Sequence, residues 1–144
     1  MAIRKDYLRD DSLSLKVSAS VTASAAGTLI RDLQDAESTG VVLIDVTALE
    51  IASNNEIYNI VVQYSPDAAF GTAGNIQDGP QLSLSAKEVK TTTSDKDDTI
   101  GRYELLTTNV YAGTVYRYMR IYTVVAGTID TTGITYAATY CPFK

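Results

Sequence analysis

The side chains that most often carry out chemistry are thinly represented in this sequence. It has no histidine, no tryptophan and a single cysteine, Cys141. Without imidazole there is no Ser-His-Asp or Cys-His pair, no HExxH zinc site and no histidine base. One cysteine cannot close an intrachain disulfide or a CxxC zinc knuckle. With no candidate base to activate it, Cys141 reads as a small buried or terminal apolar residue rather than a nucleophile. Acids are plentiful, seventeen Asp and Glu against twelve Lys and Arg, so hydrolytic or metal chemistry would have to rest on them. Asp95-Lys96-Asp97-Asp98-Thr99 has the close carboxylates a hard cation needs, but it lacks the DxDxDG pattern and distal Glu of a calcium loop and reads as a solvated turn. Asp10-Asp11 reads as an exposed chain end. Paired carboxylates can cleave glycosides, yet no two acids lie in an apolar, aromatic segment that would raise a pKa; Asp45, Glu50, Glu56 and Glu104 fall on strands or strand edges with polar neighbours. The sequence therefore predicts no metal, no cofactor and no catalysis.

The most unusual segment is 111–122, where Tyr111, Tyr116, Tyr118 and Tyr122 occur with Arg117 and Arg120. On a strand, alternation puts Tyr116, Tyr118, Arg120 and Tyr122 on one face and Val115, Arg117, Met119 and Ile121 on the other. Tyrosine and arginine are enriched at protein interfaces, where a flat ring gives area at small entropy cost and a guanidinium stacks or forks. The same residues also serve as ordinary core and cross-strand pairs. Aromatic platforms can stack on sugars as well, although tryptophan is the commoner carrier and no calcium loop or amide-rich cleft is present to hold hydroxyls.

The elements that position these residues are strands. Eighteen Thr and ten Tyr accompany many Val and Ile, and a helix-period stripe longer than two turns is hard to find. Eight strands are predicted, over residues 12–21, 27–33, 40–47, 56–65, 81–90, 101–110, 114–125 and 133–140. The first alternates Leu13, Leu15, Val17, Ala19 and Val21 against Ser12, Ser14, Lys16, Ser18 and Ser20. The third is apolar on both faces at its start and is expected to be central. The fourth opposes Tyr58, Ile60, Val62 and Tyr64 to Ile57, Asn59, Val61 and Gln63 and stops at the turn Ser65-Pro66-Asp67. A long loop over 67–80 holds Gly71, Gly74, Gly79 and Pro80, with Phe70 expected to plug a gap in the core. Residues 91–98 form a polar connection, and Asp130-Thr131-Thr132-Gly133 turns into the last strand, where Ile134, Tyr136, Ala138 and Tyr140 share a face. Strands so spaced predict an all-β fold, an antiparallel eight-stranded β-sandwich of jelly-roll type.

A chain of 144 residues, 45% hydrophobic and 20% charged, has the composition of one globular domain with a core large enough to need no staple. Residues 12–144 form that domain. Residues 1–11 precede the first strand as an arm carrying Arg4, Lys5 and Arg9, with Ile3, Tyr7 and Leu8 spaced for a short amphipathic turn. A net charge of −5 with scattered bases argues against nucleic acid. No apolar run approaches a membrane span and the N-terminus has no secretory core, so the sequence predicts a protein made in a cytoplasm and kept or assembled there.

Three stretches carry a family resemblance. The first is Ser14-Leu15-Lys16-Val17-Ser18-Ala19-Ser20-Val21-Thr22-Ala23-Ser24-Ala25-Ala26, running into Thr28-Leu29-Ile30-Arg31-Asp32-Leu33. The second is Gln63-Tyr64-Ser65-Pro66-Asp67-Ala68-Ala69-Phe70. The third is Tyr116-Arg117-Tyr118-Met119-Arg120-Ile121-Tyr122-Thr123-Val124-Val125-Ala126-Gly127-Thr128 with the closing Gly133-Ile134-Thr135-Tyr136-Ala137-Ala138. In the order and texture of its strands the chain resembles the small jelly-roll cement, or decoration, proteins of tailed bacteriophages, encoded beside the major capsid protein. The arm and the stretch 87–99 have no counterpart in that pattern. The resemblance implies a structural virion protein. Such proteins form dimers or trimers that bind the outside of the expanded head across major capsid protein subunits and stabilise it against the pressure of packaged DNA. It implies no cofactor, nucleic acid or membrane, synthesis in the host bacterial cytoplasm, and residence on the outer surface of the virion. On this reading Arg4, Lys5, Tyr7 and Arg9 are expected to lie along the capsid, and Tyr116, Tyr118, Arg120 and Tyr122 to make the oligomer contact. The alternative of a different class is a carbohydrate-binding sandwich of a phage adhesin or fibre.

Overall fold

A computed structural model describes residues 10–85 and 99–143. Among these the chain forms strands, two short 3-10 turns and no α-helix, as the β-branched and aromatic composition requires. The strands are β1 (Ser14–Val21), β2 (Ala25–Ala26), β3 (Arg31–Asp32), β4 (Thr39–Leu49), β5 (Ile57–Ser65), β6 (Gln77–Ser85), β7 (Gly101–Thr108), β8 (Val110–Tyr111), β9 (Thr114–Val115), β10 (Tyr118–Ala126) and β11 (Ile134–Pro142). All pairings are antiparallel. One sheet runs β1-β11-β4-β7; the other runs β2-β10-β5-β6, with β3 also on β10; β8 and β9 make a separate hairpin. The fold is all-β, with two antiparallel sheets sharing one core, an arrangement compatible with a β-sandwich.

Among the described residues there are eleven strands rather than the eight expected, because two strands stand in or beside each of the second, sixth and seventh expected ones. Of the expected 27–33 only β3 is strand, from Arg31; β2 lies just before that range, and between the two the Gly27 amide donates to the Ile121 carbonyl at 2.8 Å. The expected 101–110 and 114–125 break at Asn109 and at Tyr116-Arg117. Asn109 is buried, accepts the Ser38 amide on Oδ1 and donates through Nδ2 to the Ala36 and Tyr116 carbonyls. These bonds compete with a continuing ladder.

Two edges also depart from simple alternation. The first strand starts at Ser14, after a 3-10 turn over Asp11–Leu13, and bulges twice against β11. Leu15 and Lys16 are therefore both buried while Val17 is 68% exposed, which overturns the expected face of Leu13, Leu15, Val17, Ala19 and Val21. The Lys16 ammonium donates to the carbonyls of Val17, Ala19 and Tyr136 and lies 4.4 Å from the centre of the Tyr136 ring. An inward lysine with two bulges blunts this edge against further pairing. β6 begins four residues before the expected 81 and takes in Gly79 and Pro80. Among the described residues it pairs only with β5, and a register shift between Val61 and Gln63 absorbs the proline, which has no amide to give. A Cβ on Gly79 would fall 2.8 Å from the Tyr64 ring and the Tyr111 hydroxyl. Residues 86–90 of the expected fifth strand, the connection 91–98 with the Asp95–Asp98 acids, and the arm 1–9 lie outside the described residues.

The long strands alternate as read. Tyr58, Ile60, Val62 and Tyr64 of β5, with Met119 and Ile121 of β10, face Val42, Ile44 and Val46 of β4 and Ile134, Tyr136, Ala138 and Tyr140 of β11 in one buried cluster. β4 is central, flanked by β11 and β7. Four core tyrosines bring polar hydroxyls inside, and each finds a partner: Tyr58 donates to the Glu50 carbonyl, Tyr64 bonds Thr107, Tyr136 bonds Thr123 at 2.5 Å and Tyr140 bonds Ser38 at 2.5 Å. The Tyr64 and Tyr136 bonds link one sheet to the other. Burial pushes the Tyr136 phenol up to about 12, so it remains a neutral donor at ordinary pH.

Orphaning a buried hydroxyl costs more than removing a matched pair. Tyr136→Phe and Thr123→Val are each expected to lower unfolding free energy by about 1–3 kcal/mol, and the double variant by less than the sum. Urea denaturation of the four proteins measures this; additive losses would show that the bond does not couple the sheets.

Candidate functional site

β10 is the strand that displays the tyrosine and arginine residues. Its inward positions Met119, Ile121 and Thr123 are buried, so period-2 alternation sends Tyr118, Arg120 and Tyr122 to the outer face of the second sheet, where all three are half-buried. The register with β5 runs unbroken from Tyr118 opposite Ser65 to Ala126 opposite Ile57, so Arg120 stands beside Gln63 and Tyr122 beside Val61.

Arg120 is fixed from several sides. Its Nε donates to Gln63 Oε1 at 3.0 Å, and Gln63 Nε2 donates to Asp78 Oδ1 at 2.9 Å. This makes a polar ladder across β10, β5 and β6. The guanidinium lies 4.2 Å from the Phe70 ring centre and 5.8 Å from that of Tyr122, stacked as cation–π geometry favours. Burial lowers the Arg120 pKa. Phe70 is buried as expected, but it packs under this guanidinium and stands outside the main core cluster. Its turn is built by Asp67, whose carboxylate accepts the Ala69 and Gly71 amides.

Arg117 lies at the border of the same face, 5.2 Å from the Tyr118 ring centre. Its Nε and Nη2 fork onto Asp32 at 2.9 and 2.8 Å, and Nη1 reaches Asp35 at 3.1 Å. The fork holds the Asp32 carboxyl below its ordinary value.

Tyr116 does not join this face. It sits in the break between β9 and β10, packs against the core and meets Tyr111 edge-on at 6.3 Å between ring centres. The Asn109 bonds to its carbonyl and amide hold it there. The structure thus brings together three of the four expected residues, Tyr118, Arg120 and Tyr122, and places Tyr116 elsewhere. Arg4, Lys5, Tyr7 and Arg9 fall in the undescribed arm. Cys141 is buried with Val41 and Leu43 in a second small cluster.

The acids hold two arrangements that the sequence reading passed over. Glu50, at the end of β4, is buried, and its two carboxylate oxygens accept the backbone amides of Asp130, Thr131, Thr132 and Gly133. The Gly133 and Asp130 amides do most to pull its pKa from 4.5 to about 2, as donors aimed at a charged carboxylate must. Glu56 is fully buried, and its oxygens accept the Ser53 and Asn55 amides. The spacing Ser53-x-x-Glu56 is that of a capping box and was the one available signal. Both carboxylates spend their acceptor capacity on the chain's own loops, pinning 51–56 and 130–133 at one end of the sheets. No group of three or more His, Cys, Asp or Glu suited to a metal occurs among the described residues, nor is any helix long and apolar enough to cross a membrane.

A scan of family models finds none that matches the chain, and a search of curated proteins finds no significant match.

Because the Glu50 pKa is depressed on folding, its contribution to stability is present above about pH 4.5 and is lost as pH falls toward about 2. Glu50→Gln keeps the shape without the charge. It is expected to be less stable than the parent at pH 7, with the gap in urea midpoint closing between about pH 5 and pH 2. A constant gap across that range would remove the charge from the account.

Proposed function

We propose that the protein is a structural virion protein, a capsid cement that binds the outside of a phage head across major capsid protein subunits and stabilises it. The observation that carries this reading is the outer face of the second sheet, where Tyr118, Arg120 and Tyr122 stand half-buried on a rigid strand with their geometry set from below. A face built this way has the composition and pre-organisation of a protein contact. The resemblance in strand texture supplies the biological setting. The reading includes a homo-oligomer, a dimer or trimer, made in the bacterial cytoplasm and located on the outer virion surface. It requires no cofactor, nucleic acid or catalysis.

Strand order supports taking the fold as an eight-stranded jelly roll. With β2 and β3 counted as one interrupted edge strand and the β8–β9 hairpin set aside, chain-order strands 1, 8, 3 and 6 make one sheet and 2, 7, 4 and 5 the other. The chain then crosses between sheets at nearly every connection, as two interlocked Greek keys do. Such a unit suits a cement: many copies, each making a modest contact across a seam, raise the cost of opening the shell through avidity.

The carbohydrate reading draws on the same rings. It is the weaker one, because guanidinium groups already lie over Tyr118 and near Tyr122, leaving less free platform for a sugar.

Light scattering coupled to size-exclusion chromatography, on the protein alone and mixed with expanded shells lacking it, tests the proposal. A stable oligomer that co-elutes with shells at near-stoichiometric occupancy is expected, and deletion of residues 2–10 is expected to abolish shell binding with the fold intact. A monomer that ignores the shells overturns the reading and moves glycan binding to first place; unchanged binding after the deletion removes the arm from it.

A further inference from the structure

The charges on the outer face of the second sheet are unevenly matched. Arg117 is consumed by Asp32 and Asp35. Asp78 is engaged by Gln63. Arg120 meets no carboxylate: its Nε goes to Gln63, its flat face to Phe70, and its two terminal nitrogens have no hydrogen-bond partner among the described residues. The ladder from Asp78 through Gln63 orders a long side chain and leaves its terminal N–H groups, which are not buried, open to a partner at the middle of the face. A guanidinium held in this way is a receptor for one carboxylate, approached end-on. The other arginine of this face, Arg117, is already paired, so a single negative charge matches Arg120.

An acid is displayed at the border of the same face. Asp35 stands at the tip of the turn after β3 with its side chain 69% exposed and only Oδ2 engaged, by Arg117. Gln34 and Asp35 both have left-handed backbones, φ 58° and 56°, and the Ala36 amide closes the turn on the Leu33 carbonyl at 3.2 Å. Two consecutive left-handed residues are adopted far more readily by Asn-Gly. Here Gln-Asp takes that strained shape and holds a carboxylate outward.

We infer that Arg120 is the cationic half of an intermolecular ion pair whose acidic half is Asp35 of a second copy of this chain. The inference rests on the reading of this face as the oligomer contact and names the chemistry of that contact. A surface that binds its own copy must carry both halves of each charge pair, and this face does. The chain's net charge of −5 makes copies repel, so an uncompensated cation is where they can approach. Tyr118 and Tyr122 flank the pair and exclude water from it.

The test is sedimentation velocity on the full chain and on Arg120→Glu, Asp35→Lys and the double charge swap, without shells, with circular dichroism confirming the fold. Each single change is expected to weaken self-association at least about tenfold, and the swap to restore it to within about threefold of the parent. Should Arg120→Glu fail to fold, Asp35→Asn and Asp35→Lys carry the test, because the turn lies outside the sheet and asparagine tolerates a left-handed backbone. A parent chain that stays monomeric to about 1 mM overturns the pair. So does either single variant that associates like the parent, or a swap that recovers nothing. Failure of the cement reading is separable: a parent that self-associates through this pair yet ignores shells removes the cement role and keeps the pair.

Discussion

Four tyrosines in the core impose the constraint on which the rest of this fold depends. Tyr58, Tyr64, Tyr136 and Tyr140 are almost completely buried, and a phenol placed there must keep a hydrogen-bond partner or lose the benefit of its burial. Their partners lie on other elements: Thr107 on β7 for Tyr64, Thr123 on β10 for Tyr136, Ser38 before β4 for Tyr140, and the Glu50 carbonyl after β4 for Tyr58. Apolar packing alone tolerates small slips between two sheets. Directional bonds from one sheet to the other do not, so they set the relative placement of β5 and β10 against β4, β7 and β11.

The order of the inner faces passes to the outer ones. Because β10 and β5 are held in unbroken register, Arg120 and Gln63 are brought side by side without any interaction of their own choosing. The loops are held by charge in an equally local manner. Glu50 gathers four consecutive amides of the 130–133 turn, and Glu56 gathers two of its own loop. Carboxylates that would be candidates for chemistry in another protein act here as fasteners. At the edges, Lys16 with its carbonyls and Gly79-Pro80 with its bulge interrupt the pattern a further strand would need.

A protein so arranged offers its surroundings a stiff face. The half-buried Tyr118, Arg120 and Tyr122 are ordered before any partner arrives, which lowers the entropy cost of a contact. That property is what the proposed role on a shell demands, since each contact there is small and gains its effect from repetition.

Much of this was legible in the residues themselves. The alternation of Tyr58, Ile60, Val62 and Tyr64, and of Ile134, Tyr136, Ala138 and Tyr140, marked two core strands and their buried faces, because a two-residue period is a local property of the backbone. The doubly apolar start of β4 marked it as central, and Met119 and Ile121 against Tyr118, Arg120 and Tyr122 divided β10 correctly. What tertiary structure alone decided were the places where a distant group outbids the local pattern. Asn109 ends β7 because Ser38, Ala36 and Tyr116 are within its reach, and by the same bonds it takes Tyr116 off the face. Lys16 turns inward because the Tyr136 carbonyl, 120 residues away, accepts from it. Glu50 is buried because a turn eighty residues later aims its amides there. Periodicity is written within a few residues, but hydrogen-bond satisfaction is settled between segments that meet only once the chain has folded.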